Sequence, residues 1–441
     1  MYRLSRLEFL RNKCVETLDR ASHFYRSHKG LLGLTNFMTI CLGLVNSQAF
    51  AFQDVFFFGL LVIQIPAGAI LLSRLLKGAV RRPPLQPQLP KTEFFGAVSV
   101  MVPTLNEADR ISPCLEGLTR QTYEVREITI VDSRSTDKTP ELVKAAQETD
   151  PRFRLINDDP LPSDWVGRPW ALHNGFLASS PNSEWILGMD ADTIPHPSLV
   201  CSLLETATTE GYDLITLSPR FILKYPGEFW LQPALLMTLV YRFGAAGEIG
   251  SSAERVMANG QCFFCRRSLL EKVGGYTSAK GSFCDDVTLV RNIAATGAKV
   301  GFLDGANILK VRMYEGMAET WNEWGRSLDL KDASTPAQVW GDLAFLTLVQ
   351  ALPLPLLIFS AWIVGSGNTT LPALIALGLN GALVAMRIGL NAAVLQSYDR
   401  SSAKGAWLFW FSPLADPAAV FRIFLSSTRK PKSWRGRIYG G

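Results

Sequence analysis

The sequence predicts an α/β protein with a mostly parallel sheet, attached to a membrane by apolar helices on either side. Two observations predict this fold class. Strand-like and helix-like runs alternate between residues 97 and 340, which is typical of a parallel sheet covered by helices on both faces. Long apolar blocks flank that region, and each is long enough for helices that cross a bilayer.

The two apolar blocks are nearly free of charge. Between Gly30 and Ser73 the only charged residue is Asp54, and between Leu343 and Met386 there is none. A crossing helix needs about 20 apolar residues, so each block can hold two. The predicted spans lie near residues 31–51, 55–76, 343–364 and 371–396.

A third apolar patch covers residues 405–421 and is interrupted by Pro413, Asp416 and Pro417. We expect a re-entrant or interfacial element there rather than a straight span.

These features divide the chain into a basic N-terminus (1–30), a transmembrane hairpin (31–76), a proline-rich linker (77–96), an α/β domain (97–340), a second membrane region (341–426) and a basic tail (427–441).

Basic residues predict the orientation in the membrane. The N-terminus, the linker and the tail are all rich in Lys and Arg, and such segments favour the cytoplasmic side. We therefore expect both termini and the α/β domain in the cytoplasm, with an even number of spans. The net charge is only +5, so no nucleic-acid partner is expected.

The α/β region shows its elements in a regular order. The predicted strands cover residues 97–102, 127–131, 153–156 and 185–189, and the predicted helices cover 108–122, 138–149 and 168–178. Ligands of such sheets bind at the carboxyl ends of the strands. The residues that directly follow each strand are therefore the candidates for chemistry.

Acidic residues follow three of the four predicted strands. Glu107 follows the first, Asp132 the second, and Asp190 and Asp192 the fourth. Two carboxylates one residue apart can hold Mg²⁺ or Mn²⁺, which then bridges the phosphates of a nucleotide. The glycine-rich motifs of dinucleotide-binding folds and of P-loops are absent. The pattern therefore predicts a metal-assisted nucleotide site of another type.

Six motifs occur in a fixed order along residues 97–300. They are Pro103…Asn106-Glu107, Asp132…Ser135…Asp137…Thr139, Gly167-Arg168…Ala171…Asn174, Asp190-Ala-Asp192, Arg266-Arg267…Val273-Gly274-Gly275 and Asp285-Asp286. This order resembles that of family 2 glycosyltransferases. The resemblance implies a nucleotide-sugar-binding fold, a divalent cation (Mg²⁺ or Mn²⁺) and inversion at the anomeric carbon.

The resemblance also implies a role for individual residues. Asp286 matches the catalytic base and Asp192 the metal ligand, and residues 260–267 match the wall of the donor pocket. The nucleotide-sugar would be bound by Pro103, Glu107, Asp132, Arg168, Asp190 and Gly260. Two positions depart from the family pattern, because Ser133 replaces a second acid and Arg168 replaces a lysine.

The membrane attachment suggests a hydrophobic acceptor. Residues 229–241 are uncharged and too short to span, which predicts an interfacial helix that contacts the acceptor; a core helix is the alternative. The sequence of residues 165–171 and 285–289 resembles that of bacterial carotenoid glycosyltransferases of the cyanobacterial type. We therefore expect transfer of one sugar to a hydroxyl of a membrane lipid, foremost a carotenoid.

Other functions stay open at this point. The acceptor could instead be a polyprenyl phosphate, a ceramide or a hopanoid, and the chain could be a processive polysaccharide synthase or a non-catalytic scaffold. The Gln-x-x-Arg-Trp motif of processive synthases is missing near Trp321 and Trp324, and the intact strand-end acids argue against a scaffold. The expected location is a bacterial inner or thylakoid membrane, with several spans and the catalytic domain in the cytoplasm.

Overall fold

The computed structural model describes residues 52–250, 252–324, 328, 330–401, 405–429, 433–434 and 437–438. The predicted N-terminus, the predicted span at 31–51 and most of the basic tail lie outside these residues. The chain divides into two compact units, Met1–Leu60 and Leu61–Gly441. Of the first unit the structure describes residues 52–60, which begin helix α1 (Phe52–Gly78).

The second unit is built around two sheets and a two-stranded ribbon. The strands are β1 (Val98–Thr104), β2 (Val125–Asp132), β3 (Phe153–Asn157), β4 (Trp185–Gly188), β5 (Thr193–Pro195), β6 (Leu214–Ser218), β7 (Arg220–Ile222), β8 (Phe263–Arg266), β9 (Val300–Asp304), β10 (Leu309–Val311), β11 (Tyr398–Asp399), β12 (Ser433–Trp434) and β13 (Arg437–Ile438). The larger sheet has the order β3-β2-β1-β4-β8-β6-β9, and the smaller has the order β11-β7-β10-β5. In the larger sheet β8 is antiparallel to β4 and β6, while the other described pairings are parallel. The predicted mostly parallel sheet is confirmed.

Helices cover both faces of the larger sheet. The helices after α1 are α2 (Ser112–Thr119), α3 (Thr139–Thr149), α4 (Gly167–Ala178), α5 (Leu199–Glu210), α6 (Pro226–Phe243), α7 (Arg267–Lys272), α8 (Asp285–Ala295), α9 (Gly316–Glu319), α10 (Pro336–Leu346), α11 (Pro353–Gly365), α12 (Leu371–Val394) and α13 (Asp416–Thr428). Alternate residues of β1 enter different cores. Val100 lies in the core that includes Leu118 of α2, and Met101 lies in the core that includes Leu172 of α4. This alternation follows from the period of two in a strand.

The predicted elements agree closely with the observed ones, with one difference. The four predicted strands correspond to β1–β4, and the predicted helices at 138–149 and 168–178 correspond to α3 and α4. The predicted helix at 108–122 is longer than the observed α2, which has a proline in its first turn. Proline is tolerated in the first turn of a helix but disrupts an interior, so a helix that began at residue 108 would place Pro113 unfavourably.

The strand order reverses at β1, because β2 and β3 lie on one side of it and β4 on the other. In open α/β sheets the ligand crevice forms at the carboxyl ends of strands beside such a reversal. Thr104 at the end of β1 is directly opposite Asp132 at the end of β2. The fold thereby brings the strand-end acids of the sequence to one edge.

Helix α6 passes through the interior of the second unit. None of residues 227–243 is exposed, and Leu231, Leu235 and Met237 share a core with residues of α12 and α13. The predicted interfacial helix at 229–241 is therefore wrong, and the alternative, a core helix, is correct. A helix that is apolar on all sides has no polar face to turn toward water, so it is buried.

A buried ion pair fixes the start of α6. Glu228 is fully buried, and its two carboxylate oxygens each accept a hydrogen bond from Arg312 at 2.8 Å. The same carboxylate accepts bonds from the backbone N–H groups of Lys224 and Gly316. Because Arg312 follows β10, this cluster joins α6 to the smaller sheet. Removal of one partner from such a pair costs about 3–5 kcal/mol.

Three helices within the described residues are long and apolar enough to cross a membrane. They are Gln53–Gly78, Leu371–Ser397 and Ala406–Thr428. The first two match predicted spans. The third is the segment for which a re-entrant or interfacial element was expected; it is continuously helical, with a 3₁₀ portion (Ala406–Ala415) that leads directly into α13.

The predicted span at 343–364 is not one straight helix. It consists of Pro336–Ala351 and Pro353–Gly365, which meet at an angle of 48°. The break follows a π-helical turn, Thr347–Ala351. Pro353 has no backbone N–H, and its ring clashes with the preceding turn, which bends a helix at this point.

Candidate active site

Arg168 connects three parts of the site. It lies in the first turn of α4, with 12% of its side chain exposed. Its Nε donates to Asp190 Oδ1 at 2.9 Å, its Nη1 to Asp285 Oδ2, and its Nη2 to the Gly260 carbonyl at 2.7 Å. Burial alone would lower the pKa of Arg168, but the two carboxylates raise it. The guanidinium therefore stays charged and joins the end of β4 to the start of α8.

Residue 260 has room only for a glycine, because Arg168 occupies the space that a side chain would need. A Cβ built on Gly260 would lie 2.4 Å from Arg168 Nη2 and 2.8 Å from its Cζ. The guanidinium has no free direction in which to retreat, since its three bonds hold it in place. Of the predicted donor-pocket wall at 260–267, Gly260 and Gln261 line the cavity beside Arg168. Cys262 and Cys265 are instead buried in the sheet core, so that part of the prediction is wrong.

We expect Gly260→Ala to lower the free energy of unfolding by about 1–3 kcal/mol, the cost of leaving buried polar groups unpaired. Chemical denaturation of the purified protein measures this change. Gly281→Ala is the matched control, because the nearest atom to a Cβ there is the Asp164 carbonyl oxygen at 3.8 Å. Equal unfolding free energies for the two variants would contradict the close packing of Arg168 on Gly260.

Asp285 and Asp286 begin α8 and have different surroundings. Asp285 is buried and paired with Arg168. Asp286 is half-buried, lines the cavity and accepts a hydrogen bond from the Val287 N–H at 2.9 Å. Burial raises the pKa of Asp286, with a further increase from Asp190 and an opposing effect of Arg168. Burial thus strengthens the affinity of Asp286 for a proton, while its carboxylate still lines the cavity.

Asp190 and Asp192 form a turn directly after β4. Asp190 faces the cavity, and Asp192 lies beneath it with 7% of the residue exposed. The buried Asp192 Oδ1 has no hydrogen-bond partner. Burial, and then the charge of Asp190, raise the pKa of Asp192. An unpartnered carboxylate oxygen next to a second carboxylate is a site that a cation would stabilise.

A divalent cation fits this pair, although the two acids alone would hold it loosely. Among the described residues no group of three or more His, Cys, Asp or Glu side chains is arranged around a common point. Mg²⁺ and Mn²⁺ sites in nucleotide enzymes commonly use one or two carboxylates, with the other ligands supplied by water and phosphate oxygens. The orphaned Asp192 Oδ1 and the adjacent Asp190 satisfy that requirement.

Asp132 organises the loops at the other side of the crevice. Its Oδ1 accepts hydrogen bonds from the hydroxyls of Thr104 (3.2 Å) and Ser135 (2.5 Å), and its Oδ2 accepts from the Ser135 N–H. Asn106, at φ 54°, binds the same loop, because its Oδ1 accepts from the Thr136 N–H at 2.8 Å. The ends of β1 and β2 are thus held together before any ligand is present.

Glu107 and Pro103 support this arrangement. Glu107 is buried, and its backbone N–H donates to the hydroxyl of Thr139 at 2.9 Å. Pro103 is half-buried in β1, opposite Val131. The structure thus places Pro103, Glu107 and Asp132 at the ends of β1 and β2, while Arg168, Asp190, Gly260 and Asp286 line one cavity beyond the end of β4. Their roles as binding residues stay predictions.

Two further features were not predicted from the sequence. Ser133, at the position of the missing second acid, donates its hydroxyl to Asp158 Oδ2 at 2.6 Å. Asp158 directly follows β3, just as Asp132 ends β2. Its position at a strand end could have identified it in the sequence as a candidate site residue. The side of the crevice formed by β2 and β3 therefore has a second carboxylate, which comes from the strand next to β2.

The second unpredicted feature is the composition of the cavity. It has a volume of about 200 Å³. At one end are Arg168 and the acids Asp190, Asp285 and Asp286; the remainder is mainly apolar, with Leu236 and Leu239 of α6 and Trp324 of the π-helical turn Thr320–Trp324. Trp324 lies in the stretch where the processive motif is missing. The cavity is thus polar at the acids and apolar toward α6.

Comparison with known proteins agrees with this geometry. Residues 99–274 match the family model described as Glycosyl transferase family 2. The chain contains a family 2 glycosyltransferase domain. The predicted family is thereby confirmed, and so is the prediction of an enzyme domain of the glycosyltransferase class.

Curated relatives of this glycosyltransferase domain are distant. A 4,4'-diaponeurosporenoate glycosyltransferase of Staphylococcus haemolyticus, a carotenoid-type enzyme, is 24% identical over 250 residues, which are 56% of this chain and 65% of the relative. The uncharacterized glycosyltransferase YibD of Escherichia coli is 26% identical over 133 residues, which are 30% of this chain and 37% of that protein. The chain thus spans less than two thirds of the length of these relatives.

A solved structure shares the fold. The mannosyltransferase PcManGT from Pyrobaculum calidifontis, in complex with GDP-Man and Mn²⁺, aligns with a TM-score of 0.50 and 18% identity, over 85% of this chain and 98% of that chain. The predicted nucleotide-sugar-binding glycosyltransferase fold is confirmed. The alignment covers more of the chain than the family domain does.

Proposed function

We propose that this protein transfers one sugar from a nucleotide-sugar donor to a hydroxyl of a membrane lipid, with inversion at the anomeric carbon. Among lipids, a carotenoid is the proposed acceptor. The observation that carries this proposal is a cavity with an acidic end, lined by Asp190, Asp285 and Asp286, and a mainly apolar end. With a divalent cation bound at the acids, the acidic end suits the sugar and diphosphate of a donor. The apolar end suits the body of a lipid acceptor.

Asp286 is the group placed to accept the acceptor proton. Its carboxylate lines the cavity at the first turn of α8, and burial raises the pKa of this carboxyl, which strengthens its affinity for a proton. As the acceptor hydroxyl attacks the anomeric carbon, its proton passes to Asp286. Attack from the face opposite the departing nucleoside diphosphate inverts the configuration, as the family resemblance implies.

Asp190 and Asp192 would hold the divalent cation. When bound, that cation supplies positive charge to the diphosphate as the bond to the sugar breaks. Support comes from the orphaned Asp192 Oδ1 and from the Mn²⁺ in the structure of the mannosyltransferase of similar fold. Asp132 and Asp158, at the ends of β2 and β3, are the proposed nucleoside contacts.

Arg168 acts as a positioning residue in this proposal. Its hydrogen bonds to Asp190 and Asp285 hold the metal-binding turn at a fixed place relative to α8, which carries Asp286. The family position of this residue is commonly a lysine; the planar guanidinium can bind two carboxylates and a carbonyl at once, which a lysine does less well.

The hydrophobic acceptor is supported by α6 and by the apolar helices. Leu236 and Leu239 of α6 line the cavity, and the other side of α6 packs on α12 and α13, parts of two candidate spans. The relative named for 4,4'-diaponeurosporenoate favours a carotenoid over a polyprenyl phosphate, a ceramide or a hopanoid. We further propose that the domain faces the cytoplasm of a bacterial cell.

Leu236→Asn should reduce transfer to a lipid acceptor about 10- to 100-fold, because the apolar contact of one leucine is worth roughly 1.5–3 kcal/mol. Slow hydrolysis of the donor should persist, because the substitution leaves the acids of the cavity unchanged. The measurement follows both reactions with purified protein, a radiolabelled nucleotide-sugar and a carotenoid alcohol in detergent. Leu177→Asn is the control, as Leu177 is 69% exposed on α4.

The same assay tests the proposed function itself. Wild-type protein should form a product with one sugar on the lipid hydroxyl, and mass spectrometry gives its size. A polymeric product would indicate a processive synthase, and an absence of both transfer and donor hydrolysis would indicate a scaffold. If transfer occurs but Leu236→Asn and Leu177→Asn behave alike, the apolar end of the cavity does not bind the acceptor.

A further inference from the structure

A second cleft lies where the α/β domain meets the ends of two apolar segments. Its volume is about 870 Å³, and it shares no lining residue with the cavity at Asp286. Arg74 of α1, Arg255 of the short helix Ala253–Arg255 and Arg291 of α8 line it together with the first turn of α10. Three guanidinium groups from separate elements thus face one space.

Arg291 is the most buried of the three, with 7% of the residue exposed. Its Nε donates to the Val256 carbonyl at 3.1 Å, and its Nη1 donates to the Ala333 carbonyl at 2.6 Å and to Ser334 Oγ at 2.9 Å. Its Nη2 is buried and has no hydrogen-bond partner. Burial, and then the charge of Arg255, lower the pKa of Arg291 to about 10. An anion in the cleft would satisfy Nη2 and offset both penalties.

Three carboxylates, those of Glu254, Asp332 and Asp342, line the cleft beside the three guanidinium groups. Asp342 is buried, and its Oδ1 lies 3.3 Å from Arg255 Nη2. Glu254 and Asp332 also line the cleft but are exposed to solvent, where their charge is screened. Arg74 donates to the Tyr241 carbonyl and lies over the ring of Phe345, with no carboxylate bound to it in the described residues.

The start of α10 adds hydrogen-bond donors to the same space. Thr335 caps the helix by accepting from the Gln338 N–H, and Gln338 Nε2 is buried without a hydrogen-bond partner. The N-terminus of a helix carries partial positive charge and attracts anions. Two residues that line the cleft at a helix N-terminus, Arg291 and Gln338, thus each carry a buried donor atom without a hydrogen-bond partner.

The cleft also lies at the ends of candidate membrane segments. Arg74 is in the last turns of Gln53–Gly78, and α10 begins the bent pair that starts with Pro336–Ala351. Trp340 of α10 is 49% exposed and contacts Phe424 of α13 edge-on. Exposed tryptophans are concentrated at the level of lipid head groups. A membrane crossed by these segments would have its surface at the level of the cleft.

We propose that this cleft binds a phosphate ester, and that the phosphate comes from the head group of an anionic phospholipid. Arg291 Nη2 and Gln338 Nε2 would donate to the phosphate oxygens, and Arg74 and Arg255 would add positive charge. Basic pockets beside transmembrane helices on the cytoplasmic side are known to bind anionic head groups. A bound lipid would join α1, α8 and α10 where the catalytic domain meets the membrane.

Gln338→Glu is the variant that tests this site without endangering the fold. Glutamate three residues after Thr335 keeps the residue pattern of a capping box and is compatible with the start of α10. It also places a negative charge among the arginines, where it competes with a phosphate. Gln147→Glu makes the same change of charge on α3, which packs on the outer strand β3 and is not part of the cleft.

The full-length protein in a neutral detergent is titrated by calorimetry with dihexanoyl-phosphatidylglycerol, dihexanoyl-phosphatidylcholine and inorganic phosphate. Phosphatidylglycerol should bind at least about tenfold more tightly than phosphatidylcholine, and Gln338→Glu should weaken its binding about tenfold by charge repulsion, while Gln147→Glu should not. Equal affinity for both lipids, or unchanged affinity in Gln338→Glu, would overturn the site. Binding of inorganic phosphate as tight as that of phosphatidylglycerol would overturn the lipid source and leave a soluble phosphate.

Discussion

Replacement of Asp286 by Asn should lower the rate of sugar transfer by about 10²- to 10⁴-fold, the usual contribution of a general base. The affinity for the nucleotide-sugar should change little. Asparagine has the size and shape of aspartate but cannot accept the proton of the acceptor hydroxyl. The hydrogen bond from the Val287 N–H to Asp286 Oδ1 can be retained by the amide oxygen, so the start of α8 should keep its geometry.

The measurement combines single-turnover transfer with equilibrium binding of the donor. Asp164→Asn is the matched control, because Asp164 is exposed and paired with Lys280, and surface pairs of this type contribute about 0–1 kcal/mol. Asp285→Asn provides a contrast. It removes one of the two carboxylate charges that the buried Arg168 guanidinium contacts and should lower stability rather than selectively lower the rate. A parallel loss of donor binding and transfer in Asp286→Asn would move Asp286 from catalysis to binding.

Asp192→Asn should abolish high-affinity binding of Mn²⁺ and reduce transfer by about 10³-fold, since charge stabilisation by a bound cation is worth several kcal/mol. An excess of EDTA should reduce the wild-type enzyme to the same level. The amide lacks the charge that the site would offer a cation, and Asp190 is already engaged by Arg168. Isothermal titration with Mn²⁺ in the presence of the nucleoside diphosphate reports the site directly.

The pH dependence of Mn²⁺ binding gives a second test of the same pair. Burial and Asp190 raise the pKa of Asp192 in the cation-free protein, so a proton competes with the cation at low pH. Mn²⁺ affinity should therefore rise with pH and fall in acid. Asp109→Asn, a change at an exposed carboxylate in the loop after β1, should not alter this profile. Wild-type affinity for Mn²⁺ in Asp192→Asn would contradict the metal assignment.

The predicted membrane segments show how far a local pattern can be trusted. Composition was sufficient for the apolar segments at 55–76 and 371–396, which are continuous helices. At 343–364 the helix bends before Pro353, and at 405–426 the chain is helical through Pro413. Whether the second of these segments is re-entrant or interfacial, as expected from its prolines, stays a prediction. A proline near a helix start is tolerated and one in an interior is disruptive. Whether a given proline lies at a helix start or in a helix interior depends on how the neighbouring helices pack.

The sequence by itself determined the sheet, its main strands and the family of the domain. Alternation of apolar residues sets which face of a strand is buried, and the acids after β1, β2 and β4 need only the strand ends to be placed correctly. Glu107, Asp132, Asp190 and Asp192 were therefore predictable, since each is defined by a local pattern.

Only the tertiary structure decided the environment of those residues. Arg168 pairs with Asp190, 22 residues away, and with Asp285, 117 residues away, and local periodicity contains no information on such pairs. The same holds for α6, whose uniform apolarity fits both a membrane surface and a protein interior until its neighbours are known. The packing of α6 against α12 and α13 made it an interior helix and brought Leu236 to the cavity. Pairing and burial depend on contacts distant in sequence, which is why this part of the site required the folded chain.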